Sequence, residues 1–149
     1  MDLSELTFEQ QHSYDPLIAD VYNKLFASIH LSENWVHDPK EIIDICNSET
    51  SNFYLGKIGK YVVAMATLIK PYDSLSHKTA IIEDLAVCKD FQNQGIGDNL
   101  VLFLEQEAIE LGASRIELHS SDLRVSAQSL YVKHGYIKVE TKLFRKSLT

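Results

Sequence analysis

A chain of 149 residues has the size of one ordinary domain. It buries roughly 68–70% of the surface it would expose unfolded, so it needs no disulfide or metal staple. Its 45% hydrophobic content is that of a soluble globular protein, and 14 basic against 21 acidic residues leave a net charge of −7. That balance excludes nucleic acid as the main partner, because neutralising phosphates takes a basic face.

The two cysteines, Cys46 and Cys88, form no disulfide framework and no zinc-type spacing, so free thiols and no bound metal are expected. The polar, acidic N-terminus, MDLSELTFEQQHSYD, does not read as a signal peptide. No apolar run approaches the ~20 residues that span a bilayer. A cytoplasmic protein with no membrane partner is expected. No linker, repeat or low-complexity segment divides the chain, so residues 1–149 read as a single domain.

In chain order, residues 3–8 read as a short strand. Leu17, Val21, Leu25 and Ile29 then recur every four residues, which predicts an amphipathic helix. Asp38-Pro39 is a start signal for a second helix carrying Ile42, Ile43, Ile45 and Cys46, because Asp caps and Pro suits the first turn. Residues 53–58 and 61–69, separated by Gly59-Lys60, predict a hairpin. A polar loop at 73–78 leads into a strand over 79–88.

A long helical pattern follows, with Ile96, Leu100, Leu104, Ala108 and Leu111 as its apolar stripe and Gly112 as its left-handed stop. A strand at 115–120, a helix at 125–134 closed by Gly135, and strands at 136–140 and 142–146 complete the reading. The resulting class is α/β (α+β): a mixed, mostly antiparallel sheet of about six or seven strands, with about four helices on both faces.

Between the strand ending near Val87 and the long helix lies Gln92-Asn93-Gln94-Gly95-Ile96-Gly97. Glycines let a backbone approach a ligand closely, and a helix start offers N–H groups and a positive dipole end to an anion. Taken alone the two glycines could equally turn the chain. A Rossmann loop would need a third glycine, and GIGDNL lacks it; a phosphate loop ending in GK[ST] is absent as well.

IEDLAV (82–87), QNQGIG (92–97) and AQSLYVKHGY (127–136) together resemble the acetyl-CoA-binding half of the GNAT acetyltransferase superfamily, over residues 81–136. The resemblance implies a bulge at Leu85, Ala86 and Val87, whose backbone groups pair with the pantetheine arm. It also implies a pyrophosphate site from Gln92 through Asp98 (Gln92, Asn93, Gln94, Gly95, Ile96, Gly97, Asp98). Where many relatives carry Asn seven residues before a tyrosine, this chain has Arg124. Arg124 and Lys133 either meet the cofactor or are solvated basic side chains.

The same resemblance implies direct transfer of an acetyl group from acetyl-CoA to an amine. An alkyl amine must lose a proton to attack, since lysine-like amines have pKa values near 10.4. Glu83 matches a functional glutamate in polyamine-type relatives with an ED pair and is the candidate base; the alternative is a structural carboxylate. Its neighbour Asp84 should point to the opposite side of the strand unless the bulge intervenes. Tyr131 matches the family's general acid for the departing thiolate, the alternative being a core aromatic. A backbone N–H near Leu85 would polarise the thioester carbonyl.

Cys88 has no His/Asn company for a thiol nucleophile, and His30, His37, His77 and His119 read as surface or packing residues. The acceptor pocket is expected from residues 22–38, with Tyr22, His30, Trp35 and His37, and from the loop at 71–78. The expected partner is a small-molecule primary amine; a homodimer is left open. The alternatives are a protein Nα or lysine acetyltransferase, and a non-catalytic acyl-CoA-binding regulatory module.

Overall fold

The computed structural model describes residues 2–30, 34–121 and 124–149. It divides into two compact units, Met1–His119 and Ser120–Thr149.

The first unit is a five-stranded sheet with strands in chain order: β1 (Leu6–Gln10), β2 (Ser51–Ile58), β3 (Tyr61–Asp73), β4 (Lys78–Val87) and β5 (Arg115–Leu118). The first four pair antiparallel, and β5 runs parallel to β4. The expected hairpin at Gly59-Lys60 forms, with Gly59 at φ +57° supplying the left-handed turn residue. The first strand begins later than expected. Leu3–Glu5 makes a single 3-10 turn, because the Asp2 carboxylate caps it through the Ser4 N–H.

Helices α1 (Ala19–His30) and α2 (Pro39–Cys46) cover one face of the sheet, and α3 (Ile96–Glu110) covers the other. The alternation along β2 shows it. Phe53 and Leu55 join Tyr22 and Leu25 of α1, Ile42 of α2 and Met65 in one buried cluster. Tyr54, between them, points to the opposite face, where its ring meets Phe103 edge-on at 5.1 Å. The Tyr54 hydroxyl donates to Glu107 on α3 (3.1 Å) and accepts from the Asn52 amide (3.1 Å). The Gln10 amide in turn donates to Asn52. This relay fastens β1, β2 and α3 together without an unpaired buried dipole.

The local signals read from sequence mostly hold. Asp38 caps α2 by accepting from the Lys40 N–H, with Pro39 at the first helical position. Gly112 stands at φ +92° past α3. Its N–H reaches the Ile109 carbonyl, and the Ala113 N–H reaches that of Ala108 (both 2.9 Å), the paired bonds of a Schellman stop. The apolar stripe of α3 is buried at Ile96, Leu100, Val101, Leu104 and Ala108, whereas Leu111 is exposed. Leu17 is likewise exposed, because α1 starts two residues after it.

The second unit holds α4 (Val125–Lys133). Gly135, at φ +85°, closes it with the same stop: Gly135 N–H to the Val132 carbonyl and Tyr136 N–H to that of Tyr131, both 3.0 Å. The strands expected at 136–140 and 142–146 do not form, so the sheet has five strands where six or seven were expected. Ile137, Val139, Leu143 and Phe144 are exposed there. Strand propensity without a ladder partner is too weak to hold an extended segment in place.

Candidate active site

β4 carries the feature that organises the site. Met65 faces Ala86 and Thr67 faces Glu83, so Asp84 and Leu85 together oppose the single residue Ala66. This is a β-bulge, one residue earlier than expected: Leu85 belongs to it, while Ala86 and Val87 are back in register with Met65 and Ala64. The reason lies in Asp84, which adopts φ +54°. Among non-glycine residues, Asp and Asn are the ones that enter this left-handed region most readily.

The bulge cancels the simple alternation that would send Glu83 and Asp84 to opposite faces. Thr67 and Met65 lie on the α1/α2 face, Glu83 is the cross-strand partner of Thr67, and Asp84 lines the same cleft as both Thr67 and Met65. Partial burial, and then the neighbouring Asp84 carboxylate, push the Glu83 carboxyl above its ordinary value; His119 offsets some of this. The β4–β5 ladder ends at Ile82 and Leu118, which brings the next residues, Glu83 and His119, side by side. β4 then continues to Val87 paired with β3.

The cleft of about 220 Å³ is lined by Phe26 of α1, Glu41, Ile42 and Ile45 of α2, Phe53, Met65, Thr67 and Asp84. Of the range 22–38 expected for an acceptor pocket, Phe26 lines this cleft, whereas Tyr22, His30, Trp35 and His37 do not. Tyr22 is fully buried and His37 nearly so. The Asn23 side-chain oxygen accepts from both the His37 backbone N–H (2.9 Å) and Nδ1–H (2.6 Å), which leaves Nε2 to accept from the Tyr14 hydroxyl at 3.1 Å. His37 is therefore a satisfied packing residue, and burial pushes its pKa down. His30 stacks on Trp35 with ring centroids 3.7 Å apart. Residues 31–33 of the expected pocket lie outside the described residues. The polar turn after β3 is closed on itself by Ser74 and His77.

The glycine loop opens α3 in a form suited to an anion. Gly95 is the N-cap at φ +88° and has no side chain with which to cap the first turn. Asn93 is also left-handed, at φ +60°. The Gln92 amide donates to the Val87 carbonyl (3.0 Å) and the Gln94 amide to that of Asp90 (3.3 Å). Both glutamines thus brace the loop against its own backbone. A helix start left without a side-chain cap, with Gly95 at its N-cap, has the donor chemistry a pyrophosphate needs.

In the second unit, Tyr131 is buried on α4 and packs at 5.9 Å on Tyr136. Burial raises its pKa, against a smaller lowering by Arg124, so the phenol keeps its proton at neutral pH. Arg124 is the N-cap residue of α4, and Lys133 is exposed in its last turn.

The family model described as "Acetyltransferase (GNAT) family" matches residues 12–136. The chain belongs to this acetyltransferase family. Streptothricin acetyltransferase A of Bacillus subtilis is 36% identical over 67 residues, 44% of this chain and 39% of that one, so the match spans about two fifths of the curated relative's length. An aminoglycoside acetyltransferase from an uncultured soil metagenomic sample, solved with trehalose, superposes with a TM-score of 0.80 at 20% identity, covering 99% of this chain and 100% of that one. AAC(6')-Iy, in complex with the bisubstrate analogue CoA-S-monomethyl-acetylneamine, gives 0.73 at 12% identity, covering 98% and 100%. These two likenesses carry the fold.

As a GNAT acetyltransferase, the chain shares a family that uses acetyl-CoA. Two residues near Glu83 escaped sequence reasoning. Thr67 carries no motif, and only the hairpin register sets it opposite Glu83. His119 reaches Glu83 only through the parallel pairing of β5. The sequence signal for Asp84 was present, an Asp inside a strand, where β-propensity disfavours it.

Cys88 is buried in the α1/α2 core, and burial pushes its thiol up, which disfavours the thiolate a covalent route would need. Because Asp84 helps to hold the Glu83 carboxyl up, Asp84→Asn should lower the Glu83 titration midpoint. NMR titration of the Glu83 side-chain carboxyl carbon in both proteins measures this; an unmoved or raised midpoint would contradict the assigned cause.

Proposed function

We propose that this acetyltransferase moves the acetyl group of acetyl-CoA directly to a primary amine of a small molecule, with both units acting as one cytoplasmic domain. The bulge at Asp84-Leu85 carries this reading, because it sets two carboxylates beside a cleft roofed by helices. The match over residues 12–136 runs through both units, which supports one domain. Among the described residues no helix is long and apolar enough to cross a membrane. A cleft of about 220 Å³ suits a small molecule better than a protein segment. The relatives' names, which give streptothricin and aminoglycosides, point the same way. A net charge of −7 draws cations toward the protein.

Acetyl-CoA supplies the acetyl thioester. On this reading the loop from Gln92 to Asp98 receives the pyrophosphate, and the edge of β4 from Leu85 to Val87 receives the pantetheine arm. Arg124 and Lys133 add positive charge toward the same ligand. Glu83 takes the proton released as the amine nitrogen bonds to the acetyl carbon; its raised pKa brings it closer to the operating pH, where a base is most effective. The Tyr131 hydroxyl gives its proton to the departing sulfur.

Release of free CoA in the presence of a panel of amines tests the reaction. Amine-dependent release supports it, and release with no amine in the panel opposes it. Gly95→Asp should abolish acetyl-CoA binding by calorimetry, since it places a side chain and a negative charge at a left-handed anion site. Equal affinity would remove the loop from the cofactor site.

Glu83→Gln should lower the neutral-pH rate by about 10²–10⁴-fold, the range supplied by acid–base catalysis. Higher pH should restore part of the rate, because more amine is then already neutral. A wild-type rate across pH would leave Glu83 a structural carboxylate.

Tyr131→Phe should reduce turnover by about 10- to 10³-fold while acetyl-CoA binding stays close to wild type, because Phe keeps the ring packed on Tyr136 and removes only the hydroxyl. Steady-state kinetics beside calorimetry decide it: unchanged turnover makes Tyr131 a packing residue.

A further inference from the structure

Arg115 and Glu117 of β5, and His119 just past its end, alternate along the chain and so share one side of the strand. The Arg115 guanidinium meets the Glu117 carboxylate at 3.1 Å and donates to the Thr79 hydroxyl at 3.2 Å. Thr79 is the register partner of Arg115 on β4. That bond therefore shows which side the row takes: the side of Thr79, Ile81 and Glu83. Arg115 and Glu117 are engaged with each other. The side chains of His119 and Glu83 have no hydrogen-bond or ion-pair partner among the described residues.

Glu83 and His119 stand flush, one residue past the last paired residues, Ile82 and Leu118. Neighbouring strands lie about 4.7–4.9 Å apart. Two long side chains on one side of such a pair reach each other directly or through one water, which is the reach of proton transfer. Burial and then Asp84 push the Glu83 carboxyl up, and His119 draws it back, so the two groups interact. His119 is also exposed to solvent.

A base that takes a proton in each turnover must lose it before the next. A carboxyl pushed up by burial and a neighbouring charge gives that proton up less readily. Imidazole is the side chain suited to take and release a proton near neutral pH. We infer that His119 is the outlet for the proton that Glu83 takes from the amine, passing it from the carboxyl oxygen through an imidazole nitrogen to solvent. The amine N–H breaks as the C–N bond forms, the carboxyl O–H forms and breaks in turn, and the imidazolium N–H breaks to water. Glu83 is thereby restored as a carboxylate. This rests on the acetyl-transfer reading above and adds how its base is reset. His119 acts through Glu83, so its loss should slow turnover without weakening either ligand.

His119→Gln keeps a polar side chain but carries no proton at neutral pH. The substrate is whichever of kanamycin, 1,4-diaminobutane and benzylamine the wild-type protein acetylates fastest. The variant should lose about 10-fold in kcat, below the 10²–10⁴-fold of direct acid–base contact, with both KM values unchanged. Added imidazole, at constant pH and ionic strength, should restore its turnover and leave the wild type unaffected. In a Glu83→Gln background the same substitution should cost nothing more, because no proton is passed on. NMR titration of the Glu83 carboxyl carbon should show its midpoint raised further in His119→Gln.

Wild-type turnover in His119→Gln, a slowed variant that imidazole does not accelerate, or a further loss in the Glu83→Gln background overturns the outlet and leaves acetyl transfer standing. An unmoved Glu83 midpoint overturns the contact on which the outlet depends. If the wild-type protein releases CoA with none of the three amines, the transfer reading fails and the outlet fails with it.

Discussion

The site depends on one backbone event, the entry of Asp84 into the left-handed region in the middle of β4. In a regular strand the acidic pair at 83–84 would be split between the two faces of the sheet, one carboxylate toward α1 and α2, the other toward α3. The bulge adds a residue, so that Asp84 lines the α1/α2 cleft while Glu83 stays in register with Thr67. It also separates the two halves of the strand by function. Thr79, Ile81 and Ile82 are held on both sides, by β3 and β5, and residues 86–87 by β3. A bulge increases local twist and bends its strand, and here it begins two residues past Ile82, where the ladder with β5 ends.

The surroundings of that bend set the electrostatics. Two carboxylates adjacent in sequence and brought toward one cleft repel each other, and the repulsion joins partial burial in raising Glu83. His119 moderates it from the neighbouring strand. The same core that shapes the cleft makes Cys88 a poor nucleophile, because a thiol buried beside Tyr22, Leu25 and Phe53 loses the hydration its thiolate would need. The apolar layer around Cys88 thus keeps that thiol protonated.

Much of this architecture was legible from local signals with a direct physical mechanism. Asp38-Pro39, Gly59-Lys60, Gly112 and Gly135 each punctuate the chain where backbone geometry requires it, and the elements begin or end at those points. The glycine loop was legible for the same reason, since a left-handed N-cap has to be a residue such as Gly95. What depended on register was not legible. The bulge fell one residue early, the partners Thr67 and His119 carried no pattern, and within the range 22–38 expected for an acceptor pocket Tyr22 and His37 are buried instead. Residues 136–146 show the converse: alternating apolar residues satisfy a strand pattern, yet Ile137, Val139 and Phe144 remain exposed without a ladder.

The distribution of broken local rules argues for where function lies. Asp15 and Asp38 each accept from a backbone N–H at a helix start, and α3 and α4 both end in Schellman pairs, so the ends of the elements are mostly satisfied from within. The exceptions include, around β4, an Asp at φ +54° and a buried Thr67 hydroxyl with no partner among the described residues, and, after it, an α3 start with no side-chain cap; the Tyr22 and Ser120 hydroxyls and the start of α4 are further ones. Each of these lowers stability by an amount comparable to a single hydrogen bond or a strained residue. A sequence whose local choices otherwise agree with its fold retains such costs where the groups serve a ligand. The uncapped helix start has the chemistry to receive an anion and the carboxylates at the α1/α2 cleft that to receive a cation, which is the pairing the proposed reaction would use.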